Sequence, residues 1–123
     1  MMTLLMVLND ELTKLGIDYE YEVRTAKNCY PYFIGNADIT DNQPEYGGTG
    51  GTVTLYGFDF DNGMYRLLQA NERIKEHFEN FIAVINDQAV SIEYNSCLSF
   101  TDQADAKLKR INITMNWQSW KGK

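Results

Sequence analysis

The sequence predicts one domain over residues 1–123, a two-layer α+β fold with two helices on one face of a sheet. The sheet is expected to be mixed, mostly antiparallel and of about five strands. Two segments carry apolar residues at three- and four-residue steps, which indicates amphipathic helices. Other segments alternate apolar and polar residues, which is typical of strands with one buried face. The predicted order is α-β-β-β-α-β-β, and short connections favour antiparallel neighbours.

The first helix is predicted in the opening segment, MMTLLMVLNDELTKLG. Thr3 can cap its start, and Gly16 can adopt the left-handed conformation that ends it. The apolar run is too short to span a membrane, and it lacks the basic region of a signal peptide. The protein is therefore expected to stay in the cytoplasm. One face of the helix carries its leucines, namely Leu4, Leu5, Leu8, Leu12 and Leu15.

The first two strands are predicted in IDYEYEV (17–23) and CYPYFIG (29–35). The second suits an edge strand, a strand start or a bulge, because Pro31 has no backbone N–H to donate. The segment Asn36 to Gly51 is polar, rich in Gly, Asp and Thr, and without periodicity. It is predicted to be a long mobile loop, and loops of that length are usually functional or disordered.

The remaining elements follow the same logic. TVTLYGFDF (52–60) is the third predicted strand, and the second helix is expected from Gly63 to Ile82. QAVSIEY (88–94) is a fourth strand, followed by an irregular stretch over Asn95 to Ala106. The last strand lies in KLKRINITMNW, with Ile111, Ile113, Met115 and Trp117 facing inward. The helical stripe of the second helix contains Leu67, Asn71, Ile74, Phe78 and Phe81.

The stretch FDFDNG raises the question of a metal or catalytic site. A helix-loop-helix calcium loop starting at Asp59 fails, because its fifth position is Gly63 and its twelfth is Ala70. Asp59 and Asp61 share a face of a strand, so a catalytic pair is geometrically allowed, but no pocket can be recognised from the sequence. Capping of the second helix by Asp61 or Asn62 is the favoured interpretation, with an improvised calcium site as the alternative.

No other segment predicts a cofactor, a metal or a catalytic residue. YGGTGG lacks the Lys-Ser or Lys-Thr of a phosphate-binding loop and leads into a strand. Cys29, Cys97 and the single histidine, His77, are too few for a zinc site, so two free thiols are expected. The alternative is a small hydrolytic or ligand-binding domain that uses Cys97, His77 or the Asp59/Asp61 pair.

Charge and aromatic content favour a protein partner. Seventeen acidic and eleven basic residues give a net charge of −6, which argues against nucleic-acid binding. Eight Tyr, six Phe and two Trp are present, and aromatic residues dominate protein–protein interfaces. Trp117 ends an inward-facing row and is expected in the core. The candidate interface residues are Tyr30, Pro31, Tyr32, Tyr46 and Trp120.

Several segments together resemble a family of small tail-morphogenesis proteins from phages and prophages of Gram-positive bacteria. LLMVLNDELTKLGIDYEY is similar to that family's first helix and strand, and YPYFIG to its Tyr-Pro-Tyr-Phe-x-Gly signature. TVTLYGF, LLQANERIKEHF and LKRINITMNW follow in the family's order, so the likeness covers nearly the whole chain. One departure is EYGGTGG, where the relatives carry an acidic, Glu-containing loop.

The resemblance implies the fold of a phage tail terminator, also called a tail-completion protein. Such proteins form a hexameric ring that stops growth of the tail tube and presents a surface to the head connector. The implied partners are other copies of the chain, the tail tube protein and the head–tail connector protein, first in the host cytoplasm and then in the virion tail or neck. The resemblance implies no catalytic residues. The alternative is another neck, head-completion or minor tail protein. The irregular segments 36–51 and 95–106 are the expected contact loops.

Overall fold

The computed structural model describes residues 2–22, 31–43, 48–60, 63–101 and 107–121. Two helices and six strands occur in these ranges. They follow in the order α1 (Met2–Lys14), β1 (Tyr19–Tyr21), β2 (Tyr32–Gln43), β3 (Gly48–Phe60), α2 (Met64–His77), β4 (Phe81–Ile85), β5 (Gln88–Thr101) and β6 (Leu108–Lys121).

The six strands form one sheet in the order β1-β2-β3-β6-β5-β4. β1 runs parallel to β2, and every other neighbouring pair is antiparallel. The α+β class and the mostly antiparallel sheet are therefore confirmed. The sheet has six strands in the described residues, where about five were expected. Within the same ranges, neither helix combines the length and apolar character needed to cross a membrane.

The additional strand is β4, whose first two residues, Phe81 and Ile82, were predicted to end the second helix. The backbone N–H of Phe78 donates to the Ile74 carbonyl at 3.0 Å, and α2 ends there. Phe81 then begins β4, which forms a two-residue hairpin with β5. The hairpin turn consists of Asn86 and Asp87, both at positive φ (50° and 65°). Phe81 continues the helical spacing of Phe78, so apolar periodicity alone extended the predicted helix too far.

The predicted loop over residues 36–51 is also wrong for the described part of that segment. β2 continues to Gln43, and β3 begins at Gly48, with paired residues along most of both strands. β3 lies between β2 and β6, so its backbone groups find partners on both sides despite four glycines in its sequence. Pairing therefore overrides the weak strand propensity of Gly, Asp and Asn. Similarly, β5 extends through the predicted irregular stretch to Thr101, paired with β6.

One face of the sheet carries the buried positions, and both helices contribute to the same core. Leu4, Leu8 and Leu12 of α1 are fully buried, as the predicted stripe requires. α1 contacts β1 and β5, whereas α2 contacts β3, β5 and β6, so the sheet curls around its helices and a flat two-layer description fits only roughly. All four predicted inward residues of β6 are buried, namely Ile111, Ile113, Met115 and Trp117.

The predicted helix ends have mixed outcomes. Gly16 has a φ of 74°, which confirms its left-handed role after α1. Thr3 lies inside α1, and its hydroxyl donates to the Gln88 side-chain oxygen at 2.6 Å, so the predicted capping role is wrong. The predicted caps of the second helix, Asp61 and Asn62, lie outside the described residues. Pro31 directly precedes β2, which agrees with the strand-start alternative.

Candidate interaction surface

The outer face is the side of the sheet opposite the helices, and one end of it carries an aromatic row. The strand registers place Tyr32, Phe58, Arg110 and Phe100 side by side across β2, β3, β6 and β5. The rings of Tyr32 and Phe58 stack with centroids 5.2 Å apart. The Arg110 guanidinium lies 4.6 Å from the centroid of the Phe100 ring, a cation–π contact. The row thus presents three aromatic rings and one arginine across four strands.

The opposite end of the outer face is apolar as well. Val84, Ala89 and Trp120 occupy one cross-strand row on β4, β5 and β6. Val84 is 71% exposed and Trp120 37% exposed. Ile82, two residues before Val84 on the same face, is 63% exposed. The polar residues of the outer face lie between this end and the aromatic row.

Strand β4 forms the edge of the sheet next to this apolar end. In a two-residue hairpin, the residues flanking the turn exchange hydrogen bonds, so Ile85, Ala83 and Phe81 direct their backbone groups towards β5. The backbone groups of Ile82 and Val84 therefore point away from the sheet. No Lys, Pro or charged residue interrupts Phe81–Ile85, although edge strands are usually protected by such residues.

The structure places the predicted interface residues as follows. Tyr32 starts β2 and belongs to the aromatic row, and Trp120 belongs to the apolar end. Pro31 is half-buried beside a hollow of about 310 Å³ between the helices and β2. Tyr30 and Tyr46 lie outside the described residues. Sequence reasoning missed Ile82 and Val84, although the Asn86-Asp87 turn between two apolar runs is a recognisable hairpin signal.

The 310 Å³ hollow contains two arginines that are already bonded. Arg66 donates to Asp59 Oδ1 at 2.7 Å, and Arg73 donates to the Leu15 carbonyl at 3.0 Å. These bonds tie α2 to the end of β3 and to the end of α1. The arrangement therefore holds elements together rather than presenting free cations.

The residues of the alternative catalytic hypothesis are engaged separately. His77 Nε2 lies 2.8 Å from Glu11 Oε1, and its ring packs edge-on against Phe78. Cys97 is on β5 opposite Ile113, and burial raises the pKa of its thiol, which disfavours the reactive thiolate. No hydrogen bond joins Cys97 to His77 in the described residues. Asp59 is fully buried, whereas Asp61 and Cys29 lie outside the described ranges.

The described residues contain no group of three or more His, Cys, Asp or Glu side chains placed to hold a metal ion. The surface described above consists of a row with stacked rings, an apolar end and an edge strand without charged residues. The sequence matches no protein-family model, and no curated protein matches it.

Proposed function

We propose that this chain is a non-enzymatic phage structural protein, a tail terminator whose copies form a ring on the end of the tail tube. The observation that carries the proposal is the exposed apolar edge of β4. Ile82 and Val84 present apolar side chains at one boundary of the sheet, and among the described residues no strand pairs with the outer side of β4. A protein that stays a monomer in solution gains nothing from such an edge, because it invites aggregation.

The topology supports a head-to-tail contact between copies. β1 and β4 are the outermost strands at opposite ends of the sheet. Between β2 and β4 the strand direction reverses four times, so these two strands run in the same direction. Because β1 is parallel to β2, β1 and β4 also run in the same direction. Copies arranged with one orientation around a ring would place β4 of one copy alongside β1 of the next. Such contacts between two different surfaces close into rings.

The two edge strands are short, which explains why copies of the chain would need the tail tube in order to assemble into a ring. β4 has five residues and β1 has three, so strand addition alone would bury much less than the roughly 1,200 Å² of a stable interface. Further contact area would come from the outer face, where the aromatic row suits the tail tube protein or the head–tail connector. Assembly would then occur in the host cytoplasm on a finished tube, and the ring would remain in the virion tail or neck.

The test is electron microscopy of the purified chain, alone and with tails of the phage that encodes it, together with light scattering over a concentration series. We expect rings with a central hole at one end of each tail. Rings attached to the head vertex instead would indicate another neck or head-completion protein. A chain that forms no ring and binds neither tails nor heads would contradict the proposal.

A matched pair of variants tests the role of the β4 edge. Val84→Lys places a charge at the proposed strand contact, so ring formation should be lost. Tyr65→Lys is the control, because Tyr65 is 70% exposed on α2, which lies on the other face of the sheet and away from that edge. Both variants should keep the wild-type circular dichroism spectrum. If rings of the Val84→Lys variant form as readily as those of the control, β4 is not the contact.

A further inference from the structure

A polar hollow of about 400 Å³ lies on the outer face between the aromatic row and the apolar end. Strands β3, β6 and β5 contribute to it. Between β5 and β6, Glu93 lies beside Asn116 and Ser91 lies beside Gln118. On its other side, Gln118 lies beside Gly50 of β3. Gly50 has no side chain and is itself buried, so the polar groups around the hollow come from its other residues. The outer-face residues around the hollow are Gly50, Thr52, Ser91, Glu93, Asn116 and Gln118.

The polar side chains of this hollow have no partners within the described part of the chain. Glu93, Asn116 and Gln118 are exposed, and Ser91 and Thr52 are half-buried. Among the residues that the structure describes, none forms a hydrogen bond or ion pair with any of these five side chains. Together they offer a carboxylate, two amide oxygens and two hydroxyls, which is a set of acceptors gathered around one concave space.

The charge of this region is negative. The row that contains Thr52, Asn116 and Glu93 ends at Asp38 on β2, which is also exposed. From this row to the apolar end, the outer-face positions of the described strands include no Lys or Arg. The cation of the outer face, Arg110, is engaged with Phe100 at the far end. A ligand that complements this hollow must therefore carry positive charge and several donors.

We propose that the hollow binds an arginine side chain of a partner protein. A guanidinium has five N–H donors in a planar fork and can therefore address Glu93 and the neighbouring amide oxygens together, which an ammonium point charge does less well. Trp120 lies two residues beyond Gln118 on the same face, roughly 7 Å along the strand. An arginine that enters from the apolar end would pass this indole, and a guanidinium stacks favourably on such a ring.

The assignment of that partner to a phage assembly rests on the proposed function, whereas the chemistry of the hollow does not. An arginine bound here would fix the position of a neighbouring protein against the polar middle of the sheet. Strand addition at β4 would supply contact area, and the arginine would supply specificity, because electrostatic complementarity selects partners more than it raises affinity.

The experiment is a titration of the isolated, isotope-labelled chain with N-acetyl-arginine amide, followed by the amide chemical shifts. We expect saturable shifts centred on Ser91, Glu93, Asn116 and Gln118. N-acetyl-glutamine amide, which is neutral, should leave these signals unchanged. Absence of shifts at these residues, or equal binding of N-acetyl-lysine amide, would overturn the assignment. Ring formation is not needed for this measurement, so its failure is distinguishable from failure of the proposed function.

Two isosteric variants with the same change in net charge complete the test. Glu93→Gln removes the carboxylate of the hollow and should weaken binding of the arginine probe about three- to tenfold. Glu79→Gln is the control, because Glu79 is exposed on the segment after α2 and is not among the residues that line the hollow. Equal weakening in both variants would show attraction to the net charge of the protein and would overturn the site.

Discussion

The guanidinium of Arg66 donates a hydrogen bond of 2.7 Å to Oδ1 of Asp59, a carboxylate that is completely buried at the end of β3. The same oxygen accepts the backbone N–H of Phe60 at 2.7 Å, whereas Oδ2 has no hydrogen-bond partner in the described residues. Arg66 itself is 54% exposed. This pair answers the question raised by FDFDNG, because Asp59 joins β3 to α2 through Arg66.

We predict that Arg66→Met lowers the free energy of unfolding by about 2 kcal/mol, because it leaves the buried Asp59 carboxylate without its cation. Asp59→Asn should cost less, since the amide oxygen still accepts from Phe60 and carries no charge. The double variant should be more stable than Arg66→Met alone. Urea denaturation of the four proteins measures this coupling, and strictly additive effects would contradict it.

Two tyrosines should respond oppositely to loss of their hydroxyls. The Tyr19 hydroxyl is buried without a hydrogen-bond partner in the described residues, and burial raises the pKa of its phenol. Tyr94 donates to Asn71 Oδ1 at 2.8 Å. Tyr19→Phe should therefore stabilise the fold by about 1 kcal/mol, and Tyr94→Phe should destabilise it by about the same amount. Thermal unfolding of both variants gives the signs, and destabilisation by Tyr19→Phe would show that its hydroxyl has a favourable contact.

Gly57 is required by the packing of the core. A methyl group added at Gly57 would enter the ring of Phe33, which is only 1% exposed and has no room to move. Gly57→Ala should therefore destabilise the protein by about 1–3 kcal/mol. The control is Gly48→Ala on the same strand, where the nearest atoms would lie at 3.5 and 3.8 Å, an ordinary contact distance. Equal unfolding midpoints for the two variants would refute the prediction.

Acid should weaken the link between the two helices. A hydrogen bond from Lys14, and then one from His77, lowers the pKa of Glu11 below its ordinary value of 4.5, although burial acts in the opposite direction. A lowered pKa in the folded state stabilises the protein above pH 4.5, and this contribution is lost as the pH falls through the folded-state value. Below pH 4.5, the free energy of unfolding of Glu11→Gln should therefore fall less steeply with decreasing pH than that of the wild type.

The control for the acid experiment is Glu76→Gln, which removes an exposed carboxylate from α2, beside His77 in the sequence, and leaves Glu11 in place. Its stability should follow the wild-type decline with pH. Unfolding free energies measured in urea at a series of pH values distinguish the two variants. A Glu11→Gln profile that superimposes on the wild type would mean that the Glu11 contacts contribute no pH-dependent stability.

Segments with a regular apolar pattern could be predicted from the sequence alone. The leucine stripe of α1, the left-handed Gly16 and the alternation of Ile111, Ile113 and Met115 all stand in the structure as predicted. In each case, the period of the buried residues equals the period of the element, so a local pattern contains the necessary information. The α+β class follows from these elements.

The ends of the strands and the available surface depend on contacts that form only in the folded chain. Residues 36–43 and 48–51 have the composition of a loop, yet they form strands because β2 and β6 supply backbone partners from distant parts of the chain. β4 was not predicted, because Phe81 follows Phe78 at a helical spacing. The polar hollow exists because β3, β6 and β5 are neighbours in the sheet. The candidate surface depends on strand order and register, which are set by pairing between residues far apart in sequence.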